Sequence, residues 1–456
     1  MRVAVIGSGH VGLTTGVCLA FCDHDTTVID VDQSRIERLK GGQLPFFEAE
    51  LGELLERARP CIHFTTDFAA ATEADVCLIA VPSPTASGGG VDLSFLRSAI
   101  DSLGRVLTDR RSTQPMLIVN KCTVPVGTGA MASEWLRTCL TVSAEPQGTS
   151  TASPPLFTIS SAPEFLREGL AVRDTLYPDR LVFGVNSGRD EEVLRELYRP
   201  ILEGSFPPLG SSSGLPTAVP GLVVTSVATA ELIKYAANTF LATKLSFINE
   251  IASLSSALGT DIQSIAEGIG LDHRIGRDFL SAGIGWGGSC LGKDILALVE
   301  TAREYGLPTP LLQSTMEVNE GQRGIVVRLL QEELRILKGS RIGLLGLAFK
   351  PGTDDLRDAP SLEIAGRLLS LGATVCGYDP VVQAVPLQGL ELRPSAAAVA
   401  TGADALVLVT EWDEFRSISW QDLAATMRRH IFIDGRNMLQ PSVLRAAGFC
   451  YRGIGG

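Results

Sequence analysis

The 456-residue chain is poor in histidine, with five, and in aromatic residues, at 6%, and none of its nine cysteines forms a Cys-x-x-Cys pair. Too few histidines and no metal-type cysteine spacing leave no expected metal site. The cysteines (Cys18, Cys22, Cys61, Cys77, Cys122, Cys139, Cys290, Cys376 and Cys450) read as reduced thiols of a cytosolic protein, with at least one available as a nucleophile. Positive charge is also short. Lys and Arg number 39 against 51 Asp and Glu, a formal net charge of −12. Such a surface argues against nucleic acid or an anionic membrane as main partner, so an anionic ligand must be held by backbone amides and a few placed cations. Long uncharged apolar runs are missing beyond the N-terminus. The opening MRVAVIGSGHVGLTTGVCLAF imitates a signal peptide, but its glycines fall at functional spacing, no small-residue cleavage site follows, and Asp23 and Asp25 come directly after. A soluble cytoplasmic protein is expected. With 45% apolar and 20% charged residues a buried core is available, and the length suggests about three domains.

Residues 2–6 form a β-rich run closed by Gly7, 11–22 carry a helical apolar period, 27–30 a second strand and 32–40 a charged amphipathic helix. Strand-like runs at 61–64, 75–81 and 116–120 alternate with helical stretches at 93–107 and 127–140, and strands resume at 156–161 and 180–185. This rhythm, with nearly continuous apolar strands, predicts a buried parallel sheet. The polar residues 141–155 read as a surface loop and 203–221 as a linker. Between Gly221 and Gly259 there is neither Pro nor Gly, which predicts one helix of about thirty residues, capped by Thr225 or Ser226. Further helical segments run to about 338, and from 340 the strand–helix alternation restarts, with a strand ending at Asp379. The expected fold is α/β: two doubly wound Rossmann-like domains (1–220 and 339–456) joined by a central helical domain (221–338) with one long helix.

Four groups of residues carry chemistry. Gly7, Gly9 and Gly12 form G-x-G-x-x-G straight after a strand and at the opening of a helix. There the first glycine allows a tight turn, the second lets a pyrophosphate approach, and the third permits close packing. Asp30, ending the next strand, suits the ribose hydroxyls of NAD and repels the 2′-phosphate of NADP, with Arg35 nearby as a counter-signal. The second group is AGIGWGGSCLGKD at 282–294, where a small-residue loop leads into Cys290. Lys293 would favour the thiolate, and Asp294 would position water or act as base. A glycine-rich turn with an inert cysteine is the alternative. Cys18, Cys22, Cys77 and Cys376 sit in apolar runs and read as core thiols, and Cys122 as a packing residue. Third, Lys234 and Asn238 are four apart on one helical face, as two oxyanion donors or as a solvated Lys beside a core-facing Asn. Fourth, Glu164 and Glu168 follow Pro163 at helical spacing, which suits a helix start.

In family order, GSGHVGL, VIDVD, KCTVPVGT, APEFLREG, ELIKYAANTFLA, DHRIG, GIGWGGSCLGKD, GLAFKPGTDDLRDAPS and IDGRN run through nearly the whole chain. On these motifs the sequence resembles the nucleotide-sugar dehydrogenase family, which oxidises a sugar primary alcohol to a carboxylate with two NAD molecules in succession. The resemblance implies Cys290 as nucleophile, Lys234 and Asn238 as oxyanion donors, Asp294 and Thr123 around the reactive water, and Glu164 in acid–base steps. It implies NAD contacts at Val11, Asp30, Arg35, Thr85, Thr123, Glu168, Lys293 and Arg357. For the nucleotide sugar it implies Glu164, Phe165, Leu166, Arg167, Glu168, Lys234, Asn238, Arg274, Phe279, Leu280, Ser281, Ala282, Gly283, Gly287, Lys350 and Arg436. It also implies a C-terminal UDP-binding domain, a long helix that forms a homodimer, and an Arg274 that reaches the partner's site.

The segments FTTD, DHRIG and AGIGWGGSC favour UDP-glucose as substrate and UDP-glucuronate as product, against GDP-mannose or UDP-N-acetylmannosamine. Two other readings stand beside it. A non-catalytic nucleotide-sugar sensor would need no thiol, and a two-electron hydroxy-acid dehydrogenase would leave the Gly-Gly-Ser-Cys loop unexplained. The sequence departs from the family pattern at Leu291, where Phe is usual, and at Cys122, where Ser is common.

Overall fold

The computed structural model describes residues 1–86, 89–143, 156–209 and 219–456. The chain divides into two compact units, Met1–Ala236 with Leu296–Thr301, and Ala237–Ile295 with Ala302–Gly456.

The first unit is built on an eight-stranded sheet: β1 (Arg2–Ile6), β2 (Asp25–Ile29), β3 (Ile62–Thr65), β4 (Val76–Ile79), β5 (Met116–Asn120), β6 (Phe157–Ser161), β7 (Arg180–Gly184) and β8 (Gly221–Thr225). Their order is β3-β2-β1-β4-β5-β6-β7-β8, so the winding reverses between β1 and β4. Ligands of open α/β sheets bind at such a reversal, outside the carboxyl ends of the strands. All pairs are parallel except β6–β7, where Ser161 faces Gly184 antiparallel. Strands β4 and β5 are buried along their whole length, which explains their unbroken apolar runs.

Helix Val227–Leu258 has 32 residues, about 48 Å at 1.5 Å per residue. Its start after Ser226 and its length agree with the helix of about thirty residues expected from the absence of Gly and Pro. Residues 221–225, before the cap, pair with β7, because Val223, Val224 and Thr225 are β-branched and a free sheet edge lies beside them. Ser226 is the cap, its hydroxyl accepting from the Thr229 N–H at 3.2 Å. Gly259 follows the helix in the left-handed region, φ +67°. The expected loop at 141–155 begins later: helix Thr128–Ser143 runs through its first residues, and 144–155 lie outside the described residues. Of the expected linker 203–221, Glu203 closes helix Gly188–Glu203, Gly221 opens β8, and 210–218 lie outside the described residues.

The second unit carries a six-stranded, all-parallel sheet of β9 (Arg341–Leu345), β10 (Thr374–Tyr378), β11 (Leu390–Leu392), β12 (Ala405–Leu408), β13 (Ile431–Asp434) and β14 (Cys450–Arg452). Its order, β11-β10-β9-β12-β13-β14, repeats the winding of the first six strands of the other sheet. The repeat extends to atoms. Gly7 after β1 and Gly346 after β9 both have positive φ, +101° and +84°. Asp30 after β2 accepts from the Ser8 N–H, and Asp379 after β10 accepts from the Leu347 N–H. The two sheets therefore turn into their first helices by the same device. The fold class is the one expected from sequence.

Candidate functional site

At the reversal point of the first sheet, the glycine turn divides into positions required by the chain and one left open. A Cβ on Gly7 would lie 2.4 Å from the Ala80 carbonyl oxygen, and one on Gly12 would lie 2.0 Å from that of Gly7. On Gly9 it would meet nothing within 4 Å. Gly9 caps helix His10–Phe21 without a side-chain hydrogen bond, so the amides at the start of that helix face the open side. This is the geometry a pyrophosphate needs. Asp30 receives the Ser8 N–H at 2.8 Å and hydroxyl at 2.6 Å on one oxygen, and the Asp32 N–H on the other. Burial pushes its carboxyl up, but the Ser8 hydroxyl, the Asp32 and Ser8 amides and the Arg35 guanidinium outweigh burial and hold it below the usual carboxylate range. Arg35, the counter-signal for a 2′-phosphate, is paired with Asp30 at 3.2 Å. The donor set fits NAD. Val11 is half-buried in the opening turn, and Thr85 is exposed in an isolated bridge with Val91.

In the same unit Lys234 forms a buried ion pair with Glu164, Nζ to Oε1 3.0 Å. Glu164 also accepts the Leu166 N–H at 2.6 Å, and Lys234 lies 5.4 Å from the centroid of Phe165, whose ring also carries Arg180 at 3.9 Å. Burial pushes the Glu164 carboxyl up, but Lys234, the Leu166 amide and Lys121 hold it below the usual range. The helix predicted to begin after Pro163 does not form. Residues 162–167 are irregular, and the helix starts only at Ala171. Three competing carboxylates explain this. Glu164 spends its carboxylate on its own second neighbour, and Asp174 takes the Arg167 N–H and guanidinium, while buried Glu48 accepts the Gly169 and Ala171 N–H groups at the true helix start. Glu168 is half-buried beside this turn, and Thr123 is half-buried two residues after Lys121.

In the second unit Cys290 is exposed and occupies the N-cap of helix Leu291–Glu304, 3.7 Å from the Ser289 hydroxyl. The amides of the first turn bring the positive end of the helix to the sulfur. One turn on, Asp294 is 1% exposed. Its two oxygens are held by the Asn238 amide at 2.6 Å and the Lys293 ammonium at 2.8 Å. The loop before Cys290 is not the flexible one its glycines suggest: 282–288 are buried. A Cβ on Gly287 would lie 2.2 Å from the Asp358 carbonyl oxygen, and one on Gly285 2.6 Å from Asn319 Oδ1. The loop is fastened by Asn249 to the Gly283 N–H, Gln322 to the Gly283 carbonyl, and Asn319 to both backbone groups of Trp286. These three amide side chains escape sequence reading, because they lie on helices distant in sequence.

Six of the other thiols are set apart by their surroundings. Burial pushes Cys77 up to about 12, burial and Asp23 push Cys22 up to about 12, and Cys18 and Cys376 rise for the same first reason. Cys122 is buried, with its thiol against the Ile79 carbonyl. Cys450 is exposed but raised by partial burial and by Glu333, which its thiol faces at 3.4 Å.

Of the residues implied for the nucleotide sugar, Leu280, Ser281, Ala282 and Arg436 line one cavity of about 350 Å³ within the second unit. Phe279, just before it, holds a strained φ of +62°. The Arg436 guanidinium binds the Val409 and Gly285 carbonyls and Glu411, so much of it serves the loop. Lys350 lies 5.8 Å from the centroid of the Phe349 ring. Arg274 and Arg357 are exposed and fold back on Asp272 and Asp355. Gly9→Ala should leave the melting temperature close to the parent's, since the new methyl meets no protein atom. It should weaken NAD by roughly an order of magnitude or more in a calorimetric titration; unchanged affinity would remove this turn from the cofactor site.

Three family models cover the chain: the NAD binding domain of the UDP-glucose/GDP-mannose dehydrogenase family matches residues 1–202, its central domain 228–321, and its UDP binding domain 343–441. A UDP-glucose 6-dehydrogenase of Rhizobium meliloti is 40% identical across all of this chain and 99% of its own length. Among solved structures, a UDP-glucose dehydrogenase of Pyrobaculum islandicum is 32% identical, with TM-score 0.86 over 100% of this chain and 97% of that one. A UDP-D-ManNAc dehydrogenase of Pyrococcus horikoshii is 28% identical, with TM-score 0.83 over 100% and 99%. With its three domains matched in order and a relative 40% identical over its full length, this chain belongs to the UDP-glucose/GDP-mannose dehydrogenase family.

Proposed function

We propose that this chain oxidises the primary alcohol of UDP-glucose to the carboxylate of UDP-glucuronate through a thioester on Cys290. The observation that carries the reading is the exposed thiol at the helix N-cap with Asp294 buried one turn away, in a chain 40% identical over its full length to a UDP-glucose 6-dehydrogenase. NAD, when bound, supplies the hydride acceptor for each of two oxidations. The first removes a hydride and a proton from the alcohol and leaves an aldehyde. Cys290 adds through sulfur to the aldehyde carbon, forming a thiohemiacetal that keeps the reactive product on the protein. Loss of a second hydride and the hydroxyl proton gives the thioester. Water then adds, the carbon–sulfur bond breaks, and the carboxylate and free thiol are released.

The residues divide the proton and charge work. Lys234 and Asn238, one turn apart on a single helix, present cationic and amide donors to the oxygen that becomes negative at each stage. Glu164, kept ionised by its cationic neighbours, accepts the alcohol proton. Asp294, fastened on both oxygens, orients the hydrolytic water together with Thr123. Lys350, Arg274 and Arg436 supply cations for the diphosphate.

The UDP-D-ManNAc dehydrogenase likeness supports a second substrate, but its identity is lower than that to the UDP-glucose enzymes. We also propose a cytosolic location, where thiols such as these nine cysteines stay reduced. A homodimer through the long helix is supported by Phe240, Phe247 and Leu254, which lie seven apart and are 65%, 50% and 54% exposed, a seam suited to a second helix.

Two outcomes test these readings. UDP-glucose should yield two NADH per molecule consumed, and Cys290→Ser should abolish steady-state turnover while NAD still binds. One NADH per sugar, turnover only with GDP-mannose or UDP-N-acetylmannosamine, or near-parental activity of the variant would reject the scheme. Phe247→Asp should halve the mass in light scattering, whereas an unchanged mass would take the dimer off this helix.

A further inference from the structure

A second lysine lies beside the Glu164–Lys234 pair, and nothing in the scheme above uses it. Lys121 is 8% exposed, at the carboxyl end of β5. Its Nζ donates to the Ala162 carbonyl at 3.2 Å and to the Tyr198 hydroxyl at 3.2 Å, 5.7 Å from the centroid of that ring. A buried ammonium is costly, and neither a carbonyl nor a phenol repays its charge. The compensation comes from Glu164, two residues beyond Ala162, whose carboxyl Lys121 helps to hold low behind Lys234. One buried carboxylate thus serves two buried ammonium groups.

We propose that Lys121 is a positioning residue for the oxidation: it fixes the Ala162–Glu164 segment through the Ala162 carbonyl and leaves the Glu164–Lys234 pair with one positive charge in excess. A neutral pair would offer little to a developing oxyanion, because the lysine's field would be spent on the glutamate. With Lys121 sharing Glu164, Lys234 can turn its charge toward the substrate oxygen while Glu164 stays ionised and ready to take a proton. Tyr198 limits the motion of Nζ, and Phe165 closes the other side of Lys234. The inference rests on the proposed roles of Glu164 and Lys234.

Lys121→Gln removes the charge and keeps a donor for the Ala162 carbonyl. Removing a cation beside Glu164 raises its carboxyl, and a base that must be ionised is then lost sooner as pH falls. The acidic limb of the kcat profile should therefore move to higher pH, by roughly half a unit or more. At neutral pH kcat should fall roughly tenfold, with KM for UDP-glucose and the affinity for NAD within about twofold. Lys121→Arg should restore the limb. An unshifted limb in Lys121→Gln, or one that Lys121→Arg does not restore, overturns the proposal. Should Lys121→Gln not fold, Tyr198→Phe, which frees Nζ without removing its charge, must lower kcat at constant KM, and an unchanged kcat overturns it equally. Failure of the underlying reading is separate: it shows in the parent protein, as an NADH yield other than two or an acidic limb that survives Glu164→Gln.

Discussion

A carboxylate taken out of water must be met by donors, and this chain, acidic and short of cations, meets that demand at each place where function concentrates. Asp30 is met by a hydroxyl and two amides, Glu164 by a lysine and an amide, and Asp294 by a lysine and a side-chain amide. Glu48 and Glu231 are each met by two backbone N–H groups at the start of a helix. Glu231, met by amides alone among the described residues, is pushed up by burial, whereas Glu164 beside its lysines is held down. The difference separates a carboxylate that fastens helices from one suited to the proton transfer proposed for it.

The two sheets show how one device is put to two uses. Gly7 with Asp30 and Gly346 with Asp379 turn the chain identically out of the first strand of each sheet. They part in what surrounds the acid. Asp379 takes two amides on one oxygen, two on the other, and the Trp412 indole besides, so it is spent on structure. Asp30 receives a single amide on its second oxygen and lies beside a turn whose middle glycine opens outward. The repeat is one of architecture, and its chemistry diverges through side chains that no glycine pattern specifies.

Burial and charge distinguish most of the nine thiols from Cys290. Core cysteines are held protonated by the packing that makes strands and helices cohere. Cys450 is reachable but faces a carboxylate, whereas Cys290 is reachable and faces the amide end of a helix. The buried glycine loop before it acts as a rigid mount, because each missing side chain is replaced by backbone or amide contact from another segment. Precise placement of the proposed nucleophile follows from that packing.

Periodicity and glycine spacing alone determined the α/β class, both doubly wound sheets, the long helix and the nucleotide turn, since each depends on neighbours within one or two turns of chain. The motif order determined the family and nominated Cys290, Asp294, Glu164 and Lys234. What it left undecided was non-local. That 221–225 became a strand depended on an open sheet edge, and whether 163–168 coiled depended on Asp174 and Glu48, which claimed the amides elsewhere. The rigidity of the 282–288 loop came from Asn249, Asn319 and Gln322, and the third charge beside Glu164 came from a lysine more than forty residues upstream, at the end of β5. Local pattern sets which elements form; the partners of a buried polar group are chosen only once the chain has closed on itself, because desolvation is felt only then.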